Sequence, residues 1–356
     1  MSPLHDTTYR GFASDNYAGA HPEVITAIAD ANGGHQIAYG EDVYTARLQE
    51  VMREHFGPAA ETFPVFNGTG ANVTALTSVL PRWGAVIATS TAHIHTDENA
   101  APERVSGLKL LTVDTPDGKL TPELIGTEAW GWGDEHRAQP LAVSITQTTE
   151  LGTLYSVEEI RAIADFAHER GMVLHMDGAR LSNAGAALGT GFREFTTDAG
   201  VDILSFGGTK NGLLYGEAIV VLNPAVSEGL IFLRKLNMQL ASKMRFVSAQ
   251  LIALLSDDLW RRSAGHANAM AARLRSALED AVSAGSIPAG ALGFTQPTQA
   301  NAVFATLPPG VADRLRESFR FYDWNPATRE VRWMTAFDTT EGDIDAFVAA
   351  ITRELA

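Results

Sequence analysis

The sequence predicts an α/β fold: a mainly parallel sheet flanked by helices in a large domain, then a smaller C-terminal α+β domain. Three observations predict it. Up to about residue 223, apolar strand-like runs alternate with helical patterns. Continuous apolar runs of this length suit strands buried on both faces, which are mainly parallel with helices outside. Past residue 246 the texture changes to helical patterns followed by shorter strand candidates. The expected division is residues 1–245 for the N-terminal segment and large domain, and 246–356 for the small one.

The large domain offers six strand candidates. They are "AVIAT" at 85–89, "LKLLTV" at 108–113, "LAVSIT" at 141–146, "MVLHMD" at 172–177, "DILSF" at 202–206 and "EAIVVL" at 217–222. One crossover between them is unusually legible. Ser156 and Glu159 form the S-x-x-E of a capping box. Val157, Ile160, Ile163 and Phe166 then recur on one helical face. Gly171 marks the helix end, and "MVLHMD" follows at once, giving strand, helix, strand.

In the second half, 247–260 and 269–284 read as helices, 302–307 and 331–337 as strands, and 343–355 as a final helix. "SAGSIPAGALG" at 283–293 reads as a loop within the domain.

Composition narrows the function classes. The 356 residues carry a net charge of −15, which repels nucleic acid and anionic membrane. The absence of cysteine excludes disulfides, thiolate metal sites and cysteine nucleophiles. No metal site is expected. No apolar run reaches spanning length and the N-terminus has no signal-like core, so a cytoplasmic location is expected.

Ligands of a parallel α/β sheet bind at the C-terminal strand ends. "MVLHM" leads into Asp177 and Arg180, "VDILSF" into "GGTK" with Lys210, and "AVIATST" into His93 and His95. "FNGTG", with Gly68, Thr69 and Gly70, precedes a helical stretch whose free N–H groups and dipole suit a phosphate. Each has a plainer reading. Asp177 serves as a helix cap, Arg180 as an ion-pair partner, the histidines as structural residues, the glycines as an ordinary turn and Lys210 as an exposed lysine.

Together they match the needs of pyridoxal phosphate. Only five of the 27 basic residues are lysine, and one lies in this glycine turn. A lysine can form a Schiff base with the cofactor's aldehyde where arginine cannot. An acid keeps the pyridine nitrogen protonated, an imidazole stacks on the ring, and an arginine grips a carboxylate. Gly207 and Gly208 are expected to leave the cofactor room.

In this order, "SDNYAG", "AYGEDVYT", "FNGTGAN", "TAHIHTDE", "TQTTELGTLY", "LHMDGARLSNA" and "SFGGTKNG" resemble the low-specificity L-threonine aldolases. These are pyridoxal phosphate enzymes of fold type I, similar to beta-eliminating lyases. The resemblance covers nearly the whole chain. It implies Lys210 as the Schiff-base lysine, Asp177 as the pyridinium partner and His93 as the ring-stacking residue and candidate base. Arg180 is implied at the ring hydroxyl or the substrate carboxylate, and Gly68, Thr69 and Gly70 at the phosphate. Ser14 and Arg332 are similar to the carboxylate-binding positions. Arg245, with Lys243 second, is the candidate for completing a neighbouring subunit's phosphate site. Tyr39 is implied as pocket lining, and His95 as second choice for base.

The sequence departs from the family in two places. "TQTTELG" carries Thr149 where many members have a histidine, and the lysine loop reads "GGTKNG" where "SKG" is commoner. The implied reaction is retro-aldol cleavage of L-threonine or L-allo-threonine to glycine and an aldehyde, by a homo-oligomer, a dimer of dimers. The alternatives are an aldolase for bulkier substrates such as phenylserine, or another fold-type-I lyase or aminotransferase. A cofactor-binding protein without catalysis is disfavoured because both the lysine and the aspartate are present. A nicotinamide dehydrogenase is disfavoured because GxGxxG is absent.

Overall fold

The computed structural model describes residues 3–356. Two compact units divide between residues 262 and 263. Gly19–Arg262 form the larger; the described residues up to Ala18 join Ser263–Ala356 in the smaller.

The larger unit holds a seven-stranded sheet: β1 Glu61–Val65, β2 Gly84–Thr89, β3 Lys109–Val113, β4 Gln139–Thr146, β5 Val173–Gly178, β6 Ile203–Gly207 and β7 Glu217–Val221. Their order is β1-β7-β6-β5-β4-β2-β3. Every pairing from β6 across to β3 is parallel, while β7 is antiparallel to both β6 and β1. The mainly parallel α/β fold expected from the continuous apolar runs is therefore present. Every residue of β2, β6 and β7 is buried, as a sheet covered on both faces requires.

β7 runs against its neighbours because the connection from β6 is short. A parallel return needs a crossover of a dozen or more residues, whereas a tight turn serves an antiparallel one. Lys210 lies in that connection, within the short helix Thr209–Asn211. β1 has no counterpart among the sequence candidates. It contains Pro64, which argues against a strand except at an edge, and β1 is an edge strand.

The legible crossover forms as expected. Ser156 Oγ accepts from Glu159 N at 3.2 Å, and Glu159 Oε2 accepts from Ser156 N at 2.7 Å. The helix Val157–His168 buries Ile160, Ile163, Ala164 and Ala167. Each isoleucine burial stabilises by about 1.5–3 kcal/mol. Gly171 adopts φ +68°, the left-handed geometry expected after the helix.

Two segments join units other than those expected. The helix Arg245–Leu255 packs on Pro22–Asp30 and Val43–Phe56, and so belongs to the larger unit. Residues near the N-terminus belong to the smaller one. Phe12 stacks on Phe347 with ring centroids 4.2 Å apart, and its backbone bonds Arg320 and Met334. The physical reason is burial: Phe12 completes an aromatic cluster with Phe321, Trp333 and Phe347.

The smaller unit carries a four-stranded antiparallel sheet of β8 Gly293–Phe294, β9 Ala302–Thr306, β10 Tyr322–Asn325 and β11 Glu330–Met334, in the order β10-β11-β9-β8. Its closing helix, Glu341–Leu355, starts with a Thr340–Asp343 capping box. Among the described residues no helix is long and apolar enough to cross a membrane. Among them, too, no group of three or more His, Cys, Asp or Glu could hold a metal ion.

Candidate active site

Four neighbouring strands deliver the chemistry. Reading across the sheet, β6 leads to Lys210, β5 ends in Asp177, β4 leads to Glu150 and β2 leads to His93. All four are at C-terminal ends, where ligands of such sheets bind.

Asp177 is 5% exposed. Its Oδ1 accepts from Ala179 N at 2.9 Å, the local bond expected of a strand-end aspartate. Its Oδ2 accepts from Asn72 Nδ2 at 2.8 Å. The same Asn72 nitrogen donates to Glu98 Oε1 at 2.9 Å, and that oxygen also bonds His93 Nδ1 at 2.9 Å. A continuous chain of hydrogen bonds thus runs Asp177–Asn72–Glu98–His93. The Glu98 bond raises the imidazole pKa, with a further contribution from the negative charge of Asp177; Lys210 opposes it.

Glu150 holds the start of the histidine helix. Its Oε1 accepts from His93 N at 2.9 Å and from Thr146 Oγ1 at 2.8 Å. Burial pushes its carboxyl up to about 7, and Asp177 adds to the rise. Asn72 Oδ1, Glu98 Oε2 and Glu150 Oε2 are buried without a hydrogen-bond partner.

Below Asp177 on β5 lies His175, fully buried. Its Nδ1 meets Ser144 Oγ at 2.9 Å and its Nε2 meets Ser205 Oγ at 3.1 Å. Burial lowers its pKa to about 4, so it is neutral near pH 7. The imidazole ties β4, β5 and β6 together beneath the site.

The lysine turn is held from β7. Glu217 Oε2 accepts from Gly208 N at 2.7 Å. Thr209 Oγ1 accepts from Gly216 N at 3.2 Å, which engages that hydroxyl within the turn. The glycines before the lysine face the protein's own atoms, where room for a cofactor was expected. A Cβ at Gly207 would lie 2.4 Å from Ala179 O, and one at Gly208 would lie 2.4 Å from Leu213 Cδ1. They are glycines because the "DGAR" backbone and the turn itself fill that space.

The candidate phosphate turn starts the helix Gly68–Val79. Asn67 caps it, accepting from Gly70 N at 2.7 Å. A Cβ at Gly68 would meet nothing within 4 Å, so the turn opens onto free space. At Gly70 a Cβ would lie 2.2 Å from Gln239 Cδ. Gln239 also accepts from Phe66 N at 3.1 Å.

The remaining candidates stand as follows. Arg180 immediately precedes the helix Leu181–Leu188 and is half-buried. Tyr39 is half-exposed with φ +61°, and the Lys235 amine lies 5.3 Å from its ring centroid. Arg245 donates to Gly34 O at 3.5 Å, while Lys243 and His95 are exposed. Thr149 is buried, its hydroxyl 2.6 Å from that of Thr153. Ser14 and Arg332 lie in the smaller unit. Ser14 accepts from Asn16 N at 3.2 Å, and the Arg332 guanidinium lies 4.9 Å from a Trp324 ring centroid.

Asn72, Glu98, Glu150, Glu217 and Gln239 escaped the sequence reading as site residues. Two of them carried a signal. Asn72 is the asparagine of "NGTGAN", a polar residue on a helix otherwise built of small and apolar ones. Glu98 follows His93 by a little over one helical turn in "HIHTDE". Nothing local marks Gln239, whose role rests on tertiary approach alone.

Comparison with known proteins identifies the family. The profile of the beta-eliminating lyase family matches residues 11–300. A low specificity L-threonine aldolase of a Pseudomonas species is 44% identical over 342 residues, covering 96% of each chain. That of Pseudomonas aeruginosa is 44% identical over 92% of this chain and 93% of its own. The structure of Leishmania major threonine aldolase superposes with a TM-score of 0.90 at 30% identity, covering 97% of this chain and 99% of that one. With the family profile, the sequence and the fold in agreement, this chain belongs to the beta-eliminating lyase family and, within it, to the low-specificity L-threonine aldolases.

Proposed function

We propose that this protein is a pyridoxal phosphate-dependent aldehyde-lyase that cleaves L-threonine, L-allo-threonine and related β-hydroxy-α-amino acids to glycine and an aldehyde. The observation that carries the reading is the hydrogen-bonded chain from Asp177 through Asn72 and Glu98 to His93, beside the turn that bears Lys210.

The residues fit the cofactor. The open turn at Gly68 and Thr69 offers helix N-terminal N–H groups to a phosphate. Gly70 lets Gln239 close over that turn. Asp177 would hold the pyridine nitrogen with its fixed carboxylate, Lys210 would condense with the aldehyde, and His93 would stack on the heterocycle. When bound, the cofactor supplies an acceptor for the electron pair of the breaking Cα–Cβ bond.

The chain's own residues do the rest. Asp177 cannot swing, because Asn72 and Ala179 N hold its two oxygens. Donation of His93 Nδ1–H to Glu98 fixes the tautomer, so Nε2 is the acceptor for the β-hydroxyl proton. The raised pKa strengthens that base at the cost of protonating it over a wider pH range. Thr149 takes no part, since its hydroxyl is spent on Thr153. Arg180, with Ser14 and Arg332 by family resemblance, is assigned the substrate carboxylate. Tyr39 and His95 are assigned to pocket lining.

A homo-oligomer, a dimer of dimers, working in the cytoplasm completes the proposal, with Arg245 reaching a neighbour's phosphate. Incubation of the purified protein with threonine and the cofactor tests the reaction. Glycine and acetaldehyde in equal amounts are expected; 2-oxobutyrate and ammonia without glycine would sink it.

A further inference from the structure

Glu150 takes no part in the reaction above, yet it bonds the backbone of the candidate base. The helix His93–Thr96 has four residues, and its N-cap is Ala92, whose methyl side chain accepts no hydrogen bond. So short a helix does not hold itself, because nucleation costs more than so few bonds return. The His93 N–H is one of the donors that a helix start leaves over. Glu150 Oε1, 57 residues further along the chain, accepts from it at 2.9 Å. The missing cap is supplied from the end of another strand.

The loop that carries this cap is pinned. Glu150 Oε1 also accepts from Thr146 Oγ1 at 2.8 Å, and Thr146 is paired in the sheet with Asp177. Beyond Thr146 the loop closes on itself. Gln147 accepts from Tyr155 N at 3.0 Å and donates to Tyr155 O at 2.9 Å. Thr149 N donates to Thr153 O at 3.0 Å, and their hydroxyls lie 2.6 Å apart. Gln147, Thr148, Thr149 and Thr153 are all buried. Polar groups are buried at low cost only when paired, and that pairing stiffens the loop.

We propose that Glu150 is a positioning residue for His93: with Thr146 it fixes the histidine's backbone relative to Asp177, and so sets where the imidazole meets cofactor and substrate. This rests on reading His93 as the ring-stacking base. Glu98 already holds Nδ1 of the same residue. One bond at the ring leaves the residue free to pivot, and a second at the backbone removes that freedom. Oε1 takes both bonds of Glu150, while Oε2 takes none. An amide oxygen can therefore serve in the same way.

The test uses Glu150→Leu, which removes the acceptor, and Glu150→Gln, which keeps one. In cofactor-free protein, hydrogen exchange of the His93 amide is followed by NMR. In Glu150→Leu it should quicken at least about tenfold, the weight of one hydrogen bond, and in Glu150→Gln protection should return. In the loaded enzyme with threonine, Glu150→Leu should lower kcat about tenfold to a hundredfold, as misplacing a reacting group does. KM should change less than about threefold, and Glu150→Gln should recover most of the loss. In a His93→Ala background the leucine substitution should cost less than about threefold further, because residues acting through one another are not additive. Wild-type exchange in Glu150→Leu, an equal loss with and without His93, or a glutamine variant that behaves like leucine overturns the proposal. Where leucine prevents folding, Thr146→Val frees Glu150 from its anchor and carries the same comparisons, with a loss of about threefold to tenfold. The functional reading fails separately, if the wild-type protein releases no aldehyde from threonine; amide exchange is read without substrate.

Discussion

One amide nitrogen joins two buried carboxylates: Asn72 Nδ2 lies 2.8 Å from Asp177 Oδ2 and 2.9 Å from Glu98 Oε1. Glu98 bonds His93, and Asp177 is the carboxylate proposed for the cofactor's ring nitrogen, so a single side chain holds both acids. Replacing Asn72 by leucine removes both donors and leaves two buried acceptors short of partners. Each loss should cost about 1–3 kcal/mol. Cofactor titration should show affinity reduced at least about tenfold, one such loss being enough. Unchanged affinity would show that Asp177 is held without Asn72.

Lys210→Ala should abolish the visible band of the cofactor-loaded protein and nearly all aldehyde release. Asp177→Asn should keep the fold and the band while lowering turnover strongly, because an amide cannot stabilise a protonated ring nitrogen. Normal kinetics in either variant removes that residue from its assigned role.

The pH profile reports on Glu98. A base must be unprotonated, so kcat/KM should rise with pH through a midpoint above the ordinary histidine value, because Glu98 raises the His93 pKa. Glu98→Gln removes that cause, and the midpoint should move to lower pH. A midpoint that stays in place would exclude His93 as the group titrating on the acid limb.

Stability should fall on acidification through His175. Its folded pKa is lowered to about 4 by burial, while the unfolded chain takes up a proton near the ordinary value of about 6.5. Between those values the unfolded state binds more protons, so stability rises with pH across that window. The slope should reach at most about 1.4 kcal/mol per pH unit. Urea denaturation at several pH values checks it, with His175→Asn expected to flatten the slope.

The glycines differ in what they protect. Gly207→Ala drives a Cβ into the backbone of Ala179, which cannot step aside, and should destabilise by about 1–3 kcal/mol or more. Gly70→Ala meets only the Gln239 side chain, which can turn away. It should therefore cost less in thermal stability while weakening cofactor binding. Equal thermal losses would refute the distinction.

Much of this protein is local and was legible in the sequence. Continuous apolar runs determined buried parallel strands, and the Ser156–Glu159 box determined where a helix starts, because those signals act over one or two turns of chain. The strand-end placement of Asp177 and Lys210 followed from the same runs, and the order of motifs identified the family. The edge strand β1 did not follow, since its proline is tolerable only at an edge, and being an edge is a property of the assembled sheet.

The tertiary structure decided what surrounds those residues. Asn72, Glu98 and Asp177 are far apart in sequence, and only the stacking of β2, β5 and the helix Gly68–Val79 brings their polar atoms within hydrogen-bond reach. It also decided that Gly207 makes room for the protein's own backbone, and that Glu217 accepts from Gly208 N. A carboxylate pairs with whatever the fold places beside it in a low-dielectric interior, and its own sequence neighbourhood carries no record of that partner.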